Sequence, residues 1–119
     1  MKYFKPSEFQ CPCCGTSEMD SEVEKKIDLI RDRLGVPLHI NSGYRCSAHN
    51  REVGGKPTSQ HLVGKAIDVS IANLTAEKKR QFLELAIGQF FGVGIGSTFF
   101  HLDLGTPRLW VYGSGTTAS

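Results

Sequence analysis

Two short apolar runs constrain this chain more than any other feature. Residues 65–71 read KAIDVSI and residues 99–104 read FFHLDL, and both alternate as β-strands do while carrying ionisable groups in their midst. Successive strand side chains point to opposite faces. Ala66, Asp68 and Ser70 therefore share one face, and Ile67, Val69 and Ile71 the other. In the second run Phe99, His101 and Asp103 lie opposite Phe100, Leu102 and Leu104. A carboxylate buried alone costs several kcal/mol and would rather protonate, whereas a neighbouring cation reverses that preference. The fold must bring these polar faces to a common partner.

His61 stands upstream of Asp68 across LVGKAI, and Gly64 allows the turn that lets residues 61 and 68 approach one point. His61, Asp68 and His101 together make a three-ligand set suited to Zn2+, and three protein ligands leave a fourth position open for water, the mark of a catalytic site. Taken singly these residues have ordinary readings. A lone histidine such as His39 or His49 is usually hydrogen-bonded structure, Asp68 could pair with an arginine, and Asp103 could begin the turn before Gly105. The combination carries the metal reading.

The remaining pattern predicts an α+β domain. Val23, Ile27, Ile30 and Leu34 follow helical spacing between Asp20 and Leu34, with Ser21 and Glu24 as a capping box and Gly35 as the stop. A short strand is expected at 36–40, then a long Gly/Ser/Asn-rich loop of the kind that carries function. A second helix is expected from Thr75 to Ile87 with Gly88 after it, and closing strands at 97–104 and 108–112 flank a turn at Gly105–Pro107. At 119 residues the chain fits one domain, read as 1–112 with a cysteine-containing N-terminal segment of about 1–19, and a flexible tail at 113–119. GVGIG at 92–96 lacks the phosphate-loop pattern and reads as backbone packed closely beside the site.

Lys and Arg number 14 against 12 Asp and Glu, a formal charge of +2 with no basic block, which removes the electrostatic case for nucleic acid or a membrane surface. Nor is there an apolar run long enough to cross a bilayer. Cys11, Cys13 and Cys14 crowd into CPCCG, with Cys46 far downstream. The default expectation is reduced thiols that tie the N-terminal segment to the loop at Cys46, with a second metal or a disulfide as the alternatives.

SGYRCSAHNREVGG, SQHLVGKAID and FFHLDLG followed by RLW resemble the M15 family of zinc D-Ala-D-Ala carboxypeptidases and peptidoglycan peptidases, in particular its small single-domain branch of bacteria and phages. The resemblance runs from SEFQCPCCG to RLWVY, and its signature is S-x-H-x(6)-D with a later H-x-D. It implies a compact α+β domain whose central antiparallel sheet holds one catalytic Zn2+, with His61, Asp68 and His101 as ligands and Arg45 and Ser59 on the substrate. Several relatives place an acid three positions before the last histidine, where this chain has Thr98. Asp103, on the same strand face as His101, is then the candidate catalytic proton carrier; a competing arrangement makes Asp103 the ligand and His101 the acid/base.

The implied function is hydrolysis of a peptide bond in the peptidoglycan stem, by a monomer without nucleic-acid partners or membrane insertion. The alternative is a catalytically inactive, zinc-containing wall-binding module of the same fold. A cysteine-zinc protein binding nucleic acid through CPCCG is a further rival, which the even charge balance opposes. The start MKYFKPSEFQ has no apolar signal region, so the expectation is synthesis in a cytoplasm and action on the cell wall, as a phage or prophage lysin.

Overall fold

The computed structural model describes residues 2–113; most of the expected 113–119 tail lies outside them. After a single 3-10 turn at Pro6–Phe9, helix α1 (Ser21–Leu34) forms where the apolar spacing predicts it, burying Val23, Ile27, Ile30 and Leu34. Its cap lies one residue before the expected box: the Asp20 carboxylate accepts from the Glu22 N–H at 2.8 Å. Asp20 has extended backbone dihedrals and so supplies the cap acceptor itself. Gly35, at φ 75°, closes the helix as expected.

Strand β1 (Ile40–Ser42) begins later than the expected 36–40 strand. Pro37 has no N–H to give a ladder, and pairing starts where Ser70 N–H donates to the His39 carbonyl at 2.9 Å. The long loop contains a six-residue helix, α2 (Ser47–Glu52), and a 3-10 turn at Gln60–Val63. Neither has an apolar stripe to announce it. Strand β2 (Ala66–Ser70) follows, then helix α3 (Ala76–Gln89), capped by the Thr75 hydroxyl. Helix α3 runs through Gly88 and ends only where Phe90 turns extended and buries its ring in the core. Strands β3 (Gly92–Ile95), β4 (Phe99–Asp103) and β5 (Arg108–Val111) complete the chain.

The five strands form one sheet in the order β1-β2-β4-β3-β5. It is mixed, not wholly antiparallel, because β3 and β5 run parallel. The tight connection from β3 to β4 makes an antiparallel pair, and β5 returns past β4 to the free edge of β3 in the same sense as β3. On one face Ile67, Val69, Val93, Phe100 and Leu102 join the apolar sides of α1 and α3 in a single core, with the Phe82 and Phe100 rings 5.1 Å apart. The polar residues of β2 and β4 lie on the opposite face, as the alternation requires. Among the described residues no helix is long and apolar enough to cross a membrane.

Candidate metal centre and cleft

The sheet register places Asp68 directly opposite His101 and Ala66 opposite Asp103. His61 reaches the same point through the turn at Gly64, which sits at φ 70° and where a Cβ would meet the Glu18 carbonyl oxygen at 1.9 Å. His61, Asp68, His101 and Asp103 are all buried, none more than 2% exposed. One donor atom from each of His61, Asp68 and His101 lies within 4.8 Å of the others, a grouping that does not include Asp103.

The hydrogen bonding assigns these atoms unequal roles. His61 Nδ1 is 2.7 Å from the Gly43 carbonyl, which only accepts, so Nδ1 carries the proton and Nε2 of the neutral ring presents a lone pair. That lone pair faces Asp68 Oδ2 at 3.3 Å. Both atoms are buried, and neither has a hydrogen-bond partner. Burial holds His61 below its ordinary pKa. For Asp68 burial opposes the anion, but the hydrogen bond and charge of His101 favour it, and the carboxyl is held below its ordinary value. Two acceptors at this distance repel unless a cation lies between them. The donor set of two imidazoles and a carboxylate is the kind that binds zinc.

His101 bridges two carboxylates, with Nδ1 2.9 Å from Asp68 Oδ1 and Nε2 2.7 Å from Asp103 Oδ2. Burial pushes its pKa down, yet Asp103 and Asp68 together raise it above the ordinary value. Asp103 is the most heavily engaged group of the site. Its Oδ1 accepts from Gly105 N–H at 2.9 Å and from Arg108 at 3.1 Å, and its Oδ2 accepts from Arg108 at 2.8 Å as well as meeting His101. Burial works against its charge, but these donors hold it at about 2.

Ser59 caps the 3-10 turn, its hydroxyl accepting from the His61 N–H at 3.2 Å, and it lines a cleft of about 730 Å³ with Gln60, His101, Asp103, Arg108 and Trp110. Arg45 is not on that wall. It is 1% exposed, with its guanidinium donating to Ser42 Oγ at 3.3 Å and Asn50 Oδ1 at 3.0 Å and lying 3.6 Å from Asp68 Oδ2. The cations that do line the cleft are Lys56 and Arg108, the latter stacked on Trp110 at 4.6 Å. Trp110 in turn lies 5.4 Å from the His101 ring.

The GVGIG run forms β3 and packs its backbone beside the site. A Cβ on Gly92 would stand 2.1 Å from Asp103 Oδ1, and one on Gly94 would stand 2.6 Å from the Trp110 ring. The reading of RLWVY as a plain strand missed Arg108 and Trp110, although alternation places them on one face with Tyr112. Gly43 and Asn50 were also missed, and they act through a carbonyl and a buried amide that leave no pattern in sequence.

Comparison with known proteins is consistent with this geometry. Over 101 residues the chain is 30% identical to the probable peptidoglycan L,D-endopeptidase MepK of Haemophilus influenzae, a match covering 78% of this chain and 54% of that protein. The chain thus spans about half the length of the curated relative it matches. The Peptidase M15 family profile matches residues 2–103, a span that holds His61, Asp68, His101 and Asp103, and the chain belongs to that family.

Proposed function

We propose that the protein is a zinc-dependent peptidase that hydrolyses a peptide bond in the peptidoglycan stem. The observation that carries this reading is the pair of buried acceptors without a hydrogen-bond partner, His61 Nε2 and Asp68 Oδ2, facing one another beside His101. His61, Asp68 and His101 would hold the ion. When bound, zinc supplies a Lewis acid and a water of lowered pKa to an otherwise unreactive peptide carbonyl.

The chain's own residues prepare the site. The Gly43 carbonyl fixes the His61 tautomer, and Arg45, buried behind Asp68, balances the carboxylate charge and holds it in place. In this reading Arg45 supports the metal ligands from behind, and Arg108 takes the contact with substrate carboxylates. Asp103 acts by orienting His101, as carboxylates behind metal-bound imidazoles do, because both its oxygens are already engaged. That also favours His101 over Asp103 as the third ligand. Ser59, Gln60 and Trp110 form walls along which an extended stem peptide is held with its scissile carbonyl toward His101.

The name of the Haemophilus influenzae relative makes an L,D bond the first to examine. Purified protein incubated with bacterial sacculi is expected to release peptide fragments whose masses identify the bond, with release abolished by a chelator and restored by Zn2+. Undiminished release after complete metal removal, or none from sacculi of varied stem composition by the zinc-loaded protein, would refute the proposal.

A further inference from the structure

We propose that Cys11, Cys14 and Cys46 form a second, structural metal site for zinc or a similarly soft divalent ion, clamping the N-terminal segment to the loop behind the candidate centre. The three Sγ atoms lie within 4.8 Å of one another, a grouping that excludes Cys13. Cys11 Sγ and Cys46 Sγ are 3.7 Å apart. A disulfide needs about 2.05 Å. Two thiolates on a tetrahedral zinc, each about 2.3 Å from the ion, stand about 3.8 Å apart.

The backbone around the sulfurs has the form such a site needs. Cys11 and Cys14 are the first and fourth residues of a tight turn in which Gly15 N–H returns to the Cys11 carbonyl at 2.7 Å, with Gly15 at φ 70°. The turn is closed from the other side by Cys11 N–H to the Thr16 carbonyl at 2.7 Å. Cys46 N–H points at Cys11 Sγ from 3.5 Å, a donor that stabilises negative charge on sulfur. Cys11 is buried and Cys14 exposed, so the cluster is anchored in the fold yet open to an ion at its rim. Binding would release the thiol protons and join two stretches of chain that are 35 residues apart in sequence.

The location gives the clamp a purpose. Tyr44 N–H donates to the Phe9 carbonyl at 2.9 Å, and Gly43 packs so closely that a Cβ there would be 2.6 Å from that same oxygen. Gly43 and Arg45 are the residues that hold His61 and Asp68 from behind. A metal on Cys11, Cys14 and Cys46 therefore fixes the C-terminal end of the 43–45 segment, which already leans on the Phe9 carbonyl through Tyr44.

The test compares the full reduced chain with His61→Ala, Cys46→Ser and Cys14→Ser, counting metal per chain and recording the absorption of Co2+-loaded protein. Wild type is expected to hold about two ions, and each variant about one. Thiolate-to-cobalt charge-transfer absorption is expected in wild type and in His61→Ala, and its loss in Cys46→Ser. Cys14→Ser, altered at the exposed rim, gives the same reading if Cys46→Ser does not fold. Cobalt bound without thiolate absorption, or a Cys11–Cys46 disulfide forming in metal-supplied protein, would overturn the proposal. A metal count that His61→Ala leaves unchanged would count against the catalytic centre alone, since the thiolate absorption would persist.

Discussion

Gly94→Ala isolates the role of β3. Gly94 lies between His101 on β4 and Trp110 on β5, and a Cβ there would be 2.6 and 2.7 Å from two Trp110 ring atoms and 2.8 Å from Tyr112. Carbon atoms rest about 3.5–4.0 Å apart, so the rings must withdraw by about 1 Å. The backbone of a central strand cannot yield, and the edge-strand rings can move only toward the cleft. Overpacking of this kind costs about 1–3 kcal/mol, offset by about 0.5–1 kcal/mol because alanine loses less backbone entropy than glycine. The net expectation is about 1 kcal/mol of destabilisation, a fall in Tm of about 3–6 °C for a domain of this size. Trp110 is the sole tryptophan, so its emission reports the displacement directly. Fragment release should fall further than stability does, because the displaced ring intrudes beside His101. Gly88→Ala is the counterpart: a Cβ there meets nothing within 4 Å, and Tm should rise. An unchanged Tm, emission and activity in Gly94→Ala would mean that the Trp110 and Tyr112 rings do not press on this strand.

Two further outcomes follow from the carboxylates. Asp103→Asn removes the anion that orients His101, and zinc affinity at the catalytic site, measured by chelator competition, should fall about 10–100-fold; unchanged affinity with collapsed turnover would make Asp103 the proton carrier itself. Asp68 is held at about 2 in the fold against an ordinary 3.8, so in metal-free protein its contribution is present above about pH 4 and is lost as pH falls toward 2. Urea unfolding of chelated protein across that interval should show about 2 kcal/mol of this loss, and in Asp68→Asn that component should vanish.

The placement of the candidate site was legible where backbone geometry alone decides direction. Period two sent Asp68, His101 and Asp103 to one face and Ile67, Val69, Phe100 and Leu102 to the core, and the turn at Gly64 brought His61 to them. Other features depend on partners that no local pattern names. The parallel pairing of β3 with β5 depends on which edge the last strand finds free. The end of α3 is decided by burial of Phe90 and not by Gly88. Arg45 stands in a motif that suggests an exposed loop, yet Asp68 and Asn50, the latter itself bonded to the Lys56 carbonyl at 2.9 Å, draw it inside. Its guanidinium lies against Asp68 inside the protein, and the cations lining the cleft are Lys56 and Arg108.

Zinc content should be measured on the same samples as fragment release from sacculi, for wild type, His61→Ala and Asp68→Ala. A catalytic zinc on His61, Asp68 and His101 requires each substitution to remove one zinc together with all release. Zinc content unchanged in both variants, or release that survives the loss of that zinc, would exclude it.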